Sequence, residues 1–263
     1  MMIDFHNHIL PGADDGAKTM EESLEMLFVA QKQGITDIVN TIHFQHPKME
    51  GMNTDFSYIC SLRDKLLKSM EEKNININIH LGAEVFFNFN LLNITSNPLI
   101  TFGNGKYMLI EFQTHQFPRN FDKHLYDLAM SGVTPIIAHP ERYKPVQDNI
   151  EIIEKLINSG CLMQIDGGSI LGHFGKNCKI LAEIMLKKNM VHIIGSDSHG
   201  IGKRNFCLKD SVKQAQKIID YDITPLILDN PRNVINGKAI EIPEIIKLKK
   251  TGFLSRLIEK LID

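Results

Sequence analysis

The chain has 263 residues, 43% of them hydrophobic, and a formal net charge of −2. That length can bury a core of barrel size, and the near-neutral charge removes the electrostatic case for nucleic acid or an anionic membrane as the main partner. The four cysteines, Cys60, Cys161, Cys178 and Cys207, form no C-x-x-C pair, and none is followed by arginine at the sixth position. This argues against a zinc ribbon, a disulfide framework and the cysteine-arginine loop of thiol phosphatases, and leaves core filling in a reducing compartment. No basic-then-apolar leader opens the sequence and no apolar run has the length of a membrane span, so it reads as cytoplasmic, with no membrane insertion.

In chain order, a short apolar lead-in meets Asp4-Phe5-His6-Asn7-His8. An extended segment over 3–8 puts His6 and His8 on one face, because strand side chains alternate. Pro11, Gly12 and Gly16 break the strand and let Asp14 or Asp15 fold back toward the same place. Imidazole and carboxylate without thiolate form a ligand set for a borderline or hard divalent metal. Residues 19–33 read as a helix, with Thr19 as cap, Glu22 at the capping-box position and Gly34 as stop. A second strand over 35–41 delivers His43. Residues 61–73 are helical, and the alternation over 75–81 marks a third strand that continues to Glu84. An irregular asparagine-rich connection over 88–98 follows. The fourth strand, over 106–112, carries Glu111 at its end. A helix over 121–130 stops at Gly132, and a fifth strand over 133–138 leads into His139-Pro140-Glu141-Arg142-Tyr143. A helix over 150–158 precedes the sixth strand, 162–165, which runs into Asp166-Gly167-Gly168-Ser169. A helix over 178–188 precedes the seventh strand, 191–194, and then Gly195-Ser196-Asp197-Ser198-His199. Residues 209–219 are helical, and 253–262 form a short amphipathic segment.

Strand and helix alternate seven times with no linker-like composition shift, which predicts one α/β domain over 1–263 with a parallel sheet, open or closed into a barrel. No glycine-rich phosphate loop follows the first strand, so a dinucleotide fold lacks its main support. The ionisable residues His6, His8, His43, Glu84, Glu111, His139, Asp197 and His199 all fall at the C-terminal ends of strands. In a parallel barrel those ends share one face, where catalytic groups collect. With Asp15 the set is five histidines and four carboxylates, and one ion takes about four to six ligands, so two or three ions are implied, with a carboxylate bridging. Such a cluster suits phosphoryl transfer by a metal-activated hydroxide. Arg142 and Arg204, each a few residues beyond a candidate ligand, can clamp a phosphate.

These stretches, together with Asp14-Asp15-Gly16, Thr41-Ile42-His43, Gly82-Ala83-Glu84-Val85 and Leu109-Ile110-Glu111-Phe112, resemble the PHP (polymerase and histidinol phosphatase) superfamily. Within it the chain is most similar to the CpsB/YwqE-type bacterial protein-tyrosine phosphatases. The resemblance implies a distorted seven-stranded (β/α)7 TIM-like barrel. It implies two or three divalent ions, commonly manganese, with iron, zinc or magnesium as the other candidates. It carries over ligand roles for His6, His8, Asp15, His43, Glu84, Glu111, His139, Asp197 and His199, and phosphate-contacting roles for Arg142 and Arg204. The implied substrate is a phosphotyrosine protein, a tyrosine autokinase of capsule or exopolysaccharide synthesis. Glu21-Glu22-Ser23 resembles the family's subunit-contact helix, which implies a homo-oligomer. The family often has Thr-Pro-His-His or a basic residue after the second-strand histidine, whereas this chain has Thr41-Ile42-His43-Phe44. A histidinol phosphatase or other small-molecule phosphomonoesterase is the nearest rival reading, and an amidohydrolase-type C–N hydrolase a more distant one.

Overall fold

In the computed structural model, which describes residues 1–247, seven parallel strands pair in sequence order. They are β1 Met2–Asn7, β2 Ile35–Phe44, β3 Asn78–Phe86, β4 Tyr107–Glu111, β5 Thr134–Ala138, β6 Leu162–Asp166 and β7 Ile193–Gly195. Parallel neighbours need crossovers, and helices supply them. These are α1 Met20–Gln33, α2 Phe56–Glu72, α3 Leu91–Ile94, α4 Phe121–Met130, the pair α5 Lys144–Asp148 and α6 Glu151–Asn158, and the pair α7 Gly167–Leu171 and α8 Lys176–Lys187. After β7 come α9 Leu208–Ala215, a π-turn at Pro225–Asp229 and α10 Asn230–Ile235. The amphipathic segment expected over 253–262 lies outside the described residues.

The barrel closes at one end only. There the His8 N–H donates to Ser198 O (2.8 Å) and the Asp197 N–H donates to His6 O (2.7 Å), joining β1 to the segment after β7. Toward the other end, the π-turn packs against both strands, and Asn230 Nδ2 donates to His192 O (2.9 Å).

Two apolar layers sandwich the sheet. The inner one gathers Ile3 and Phe5, Val39, Tyr107 and Leu109, Ile136 and Ala138, Leu162 and Ile193, with Phe102 and Val234 contributed from outside the strands. These positions define which parity of each strand points inward. Continued toward the C-terminal ends, the same parity delivers His43 from Val39, Glu111 from Leu109, Gln164 and Asp166 from Leu162, and Asp197 from Ile193. The middle turns of the barrel are thus oily and the top turn is ionisable, while at the opposite mouth the same parity carries Asp37 and His80, 3.3 Å apart. On β3 the inward position below Glu84 is Gly82, where a Cβ would meet the Phe102 ring at 2.0 Å.

Two strands break this parity. In β1 three steps from Asp4 to Asn7 face two steps from Ile38 to Asn40, so β1 holds one extra residue. A bulge re-aims the side chains beyond it, which is how His6 and His8 point inward although Phe5 does too. After β5, His139 takes φ 33°, ψ 54°. This left-handed conformation is costly for a non-glycine residue. It turns the imidazole inward directly after inward-facing Ala138.

Several sequence expectations shift. The third strand starts at Asn78 rather than at 75, because the β2 ladder begins with Asp37 opposite Asn78, while the Ile75 and Asn76 N–H groups donate instead to Met70 O and Gln31 Oε1. The seventh starts at Ile193, opposite Gln164, although the His192 N–H before it still donates to Met163 O (2.9 Å). Asp166 ends β6 instead of following it. The helix expected from 61 begins at Phe56, where Asp55 accepts the N–H groups of Ser57 and Tyr58. The connection over 88–98 contains α3, and the last expected helix stops at Ala215. Glu22 accepts the N–H of Lys18 (2.8 Å) rather than that of Thr19, so the capping box is displaced by one residue. The short helices α5, α7 and α10 and the π-turn begin with or contain Pro or Gly, which local pattern reads as loop.

His192 lies beneath the seventh strand, fully buried. Its Nδ1 accepts the Met163 N–H (3.0 Å), and burial pulls its pKa down to about 4. The unfolded chain, near 6.5, therefore takes up this proton more readily than the native state. The associated stability is fully present above pH 6.5 and is lost as pH falls to about 4, by about 3 kcal/mol. Urea midpoints of a His192→Asn variant, which can still accept that N–H, are expected to fall less steeply than wild type between pH 6.5 and 4. Parallel curves would contradict this.

Candidate metal centre

The top of the barrel brings all nine predicted ligands together. Eight of them form three overlapping groups. His6, His8, Glu84 and Asp197 form the first; His8, Asp15, His43 and His199 the second; His43, Glu84 and Glu111 the third. In the first, His6 Nε2 lies 3.2 Å from Glu84 Oε2 and 3.4 Å from Asp197 Oδ1, and His8 Nε2 is 3.5 Å from both oxygens. In the second, Asp15 Oδ1 is 3.3 Å from His43 Nε2 and 3.3 Å from His199 Nε2. In the third, His43 Nδ1 is 3.2 Å from Glu84 Oε2 and 3.7 Å from Glu111 Oε2. The ninth, His139, joins this edge, with Nε2 2.8 Å from Glu84 Oε1 and 3.9 Å from Glu111 Oε1.

Divalent ions fit these donors. Ligand atoms about 2.1 Å from one ion, in tetrahedral or octahedral array, stand about 3.0–3.4 Å apart, close to the separations here. Three of the imidazoles are also oriented for it. Nδ1 of His6 donates to Gln164 Oε1 (2.8 Å), that of His8 to Asp14 Oδ2 (2.7 Å), and that of His199 to the Asp197 carbonyl (2.9 Å). Each such bond leaves Nε2 as the lone-pair atom facing the cluster, the pattern by which ligand histidines are held. Glu111 Oε2 and His43 Nδ1 are buried, face each other and have no hydrogen-bond partner among the described residues.

The electrostatics show a site with surplus negative charge. Burial disfavours the His6 imidazolium, yet Glu84 and Asp197 lift its pKa to about 9. Burial, together with the neighbouring Glu84 carboxylate, pushes Glu111 well above the usual range. Burial works against ionisation of Glu84 and Asp197 as well, but the surrounding imidazoles hold Glu84 far below its ordinary value, and His199, His6 and Arg204 do the same for Asp197. A dication would satisfy all of these groups at once.

A cavity of about 470 Å³ opens above the cluster, lined by Glu84, Glu111, His46, Phe86, Arg142 and Arg204 among others. Both arginines converge on one oxygen. Arg142 Nη1 donates to Asp197 Oδ2 (2.6 Å) and Asp166 Oδ2 (3.1 Å), and Arg204 Nη2 donates to the same Asp197 Oδ2 (2.5 Å).

Four participants were not among the ligands expected from the sequence. Gln164 and Asp166 sit on the inward parity of β6, and the criterion applied to the other strand ends would have found Asp166. His46 places Nε2 3.7 Å from Glu111 Oε2, only three residues after His43. Asp14, weighed against Asp15, supports the ligands from behind. Besides holding His8, it accepts the N–H groups of His43 (3.1 Å) and Gly16 (2.9 Å). Asp14→Asn is expected to weaken metal binding about 10–100-fold, the usual cost of losing an outer partner of a ligand histidine. Titration of the metal-free variant against manganese, followed calorimetrically, checks this, and an unchanged affinity would refute the assignment.

The comparisons with known proteins agree with this geometry. The family model described as capsular polysaccharide synthesis, CpsB/CapC, matches residues 2–236. The tyrosine-protein phosphatase CpsB of Streptococcus pneumoniae is 31% identical over 247 residues, covering 91% of this chain and 100% of its own. The tyrosine-protein phosphatase YwqE of Bacillus subtilis is 29% identical over 252 residues, covering 95% and 98%. A crystal structure from work on YwqE and CpsB, described there as metal-dependent tyrosine phosphatases, superposes with a TM-score of 0.86 at 29% identity, covering 94% of this chain and 100% of that one. A histidinol phosphate phosphatase from Lactococcus lactis superposes at 0.52 with 15% identity, covering 83% of this chain and 92% of that one, a likeness of fold alone. With a family match spanning nearly all the described residues and a barrel that carries every expected donor on its closed end, the chain belongs to the CpsB/CapC family of capsular polysaccharide synthesis.

Proposed function

We propose that this protein is a metal-dependent protein-tyrosine phosphatase. The observation that carries the reading is the triad of imidazoles turned Nε2-inward by Gln164, Asp14 and the Asp197 carbonyl, set among four carboxylates below two arginines. His6, His8, Asp15, His43, Glu84, Glu111, His139, Asp197 and His199 would hold two or three divalent ions, manganese foremost. Bound there, the ions supply Lewis acidity toward phosphoryl oxygens and lower the pKa of water.

The chain's own contribution is charge and orientation. Arg142 and Arg204 stand at the cavity, where guanidinium groups can grip phosphate in a bidentate way and stabilise charge as the ester bond breaks. A phenolate leaving group has a pKa of about 10, so it needs less protonation than an alkoxide. Aryl phosphates should therefore outrun alkyl ones. The relatives' names and the family's link to capsular polysaccharide support a phosphotyrosine protein as substrate, here a tyrosine autokinase of polysaccharide synthesis. Among the described residues no helix is long and apolar enough to cross a membrane, in keeping with a cytoplasmic enzyme. The whole chain would act as one domain, assembled as a homo-oligomer through the helix bearing Glu21 and Glu22.

The test compares manganese-loaded protein on a phosphotyrosine peptide and on histidinol phosphate, with and without chelator, beside His6→Ala. Chelator-sensitive hydrolysis of the peptide, absent in the variant, is the expected result. Faster turnover of histidinol phosphate would overturn the tyrosine assignment.

A further inference from the structure

Hydrogen bonds to Asp197 Oδ2 anchor one nitrogen of each guanidinium. Arg142 Nη1 also donates to Asp166 Oδ2, and Arg204 Nη2 reaches the Asp197 carbonyl at 3.4 Å, but each group is held at one nitrogen only, and a guanidinium grips phosphate bidentately only when the rest of its fork is held too. The half-buried ring of Phe174 supplies a second constraint. The Arg142 Cζ lies 4.7 Å from the ring centroid and the Arg204 Cζ 5.9 Å, both within the range of attraction between a cation and an aromatic face.

The placement of Phe174 is built into the loop between α7 and α8. Gly172 and Gly175 bracket it with φ 91° and 96°, values that side chains other than glycine rarely adopt. The His173 N–H donates to Gly168 O (2.8 Å), folding the loop back on α7. The ring then rests over Gly168, where an added Cβ would lie 2.8 Å from Phe174 Cε2. The negative face of the ring thus sits beside two cations that share one carboxylate oxygen and otherwise repel each other.

We propose that Phe174 is a positioning residue for phosphoryl transfer: it does not line the cavity itself but steadies the Arg142 and Arg204 guanidinium groups from one side so that both present their free donors to the substrate phosphate. The inference rests on the phosphatase reading above. Its effect belongs to charge that develops at the phosphoryl group, so it should act on kcat more than on KM of a long peptide.

The test uses the full chain loaded with manganese. Phe174→Leu keeps an apolar side chain without the quadrupole, whereas Phe174→Tyr keeps the aromatic face. Phe174→Leu is expected to lower kcat on a phosphotyrosine peptide about tenfold and to weaken inhibition by inorganic phosphate by a similar factor. Metal content should stay at the wild-type level, and Phe174→Tyr should restore most of both. In an Arg142→Ala background the leucine substitution should cost less. Equal losses in the leucine and tyrosine variants, or an unchanged phosphate inhibition constant in Phe174→Leu, would overturn the proposal while leaving the phosphatase reading intact. A wild-type protein inactive on phosphate esters would instead remove that reading.

Discussion

Glu84→Gln is expected to lower kcat on a phosphotyrosine peptide by about 10³-fold or more, the scale seen when a group central to transition-state charge stabilisation is lost. Glu84 is buried, and among the described residues it is the carboxylate that belongs to two of the donor groups. One oxygen faces His6, His8 and His43 at 3.2, 3.5 and 3.2 Å, and the other faces His139 at 2.8 Å. Glutamine keeps the volume but replaces one anionic oxygen by an amide NH2, which offers protons where the imidazoles present lone pairs. The metal content of the purified variant, measured by elemental analysis, should fall with activity. A thermal scan without metal should show a folded protein, since the substitution preserves packing. Activity within tenfold of wild type would remove Glu84 from the centre of the mechanism.

Arg142→Lys should cut kcat/KM about 10²–10³-fold, although the charge is conserved. The guanidinium spans Asp197 and Asp166 through one nitrogen, at 2.6 and 3.1 Å, and still has other N–H groups to offer a phosphate. A lysine ammonium is a single point and cannot hold both carboxylates while presenting a planar fork. Metal content is expected to remain at the wild-type level, because Arg142 is not among the donors. This separates the effect from that of Glu84→Gln. Inhibition by inorganic phosphate should weaken in parallel with the loss of rate. A lysine variant of full activity would show that charge alone suffices at this position.

Much of the chemistry was legible along the chain because strand ends are easy to locate. Glu84, Glu111, His139 and Asp197 each close or follow a short apolar run, and a parallel barrel brings such ends to one rim. The supporting groups were harder to see. Gln164 has no charge to mark it, and its value comes only from standing 2.8 Å from His6 Nδ1 across the barrel. Phe174 lies between two glycines in a loop that local pattern treats as a breaker.

The sequence by itself determined the set of histidine and carboxylate donors, the strand–helix alternation and the end of the barrel where those donors collect, since all three follow from residue types and their period. Tertiary structure alone decided how His6, His8 and His139 reach the centre: through an extra residue in β1 and a left-handed backbone at φ 33°, both departures from strand parity. It also divided Asp14 from Asp15, one holding a histidine and the other facing two. Adjacent carboxylates in a turn are chemically equivalent on paper. Which of them turns toward the histidines and which props them depends on the backbone N–H of His43, which reaches Asp14 only once the barrel has formed.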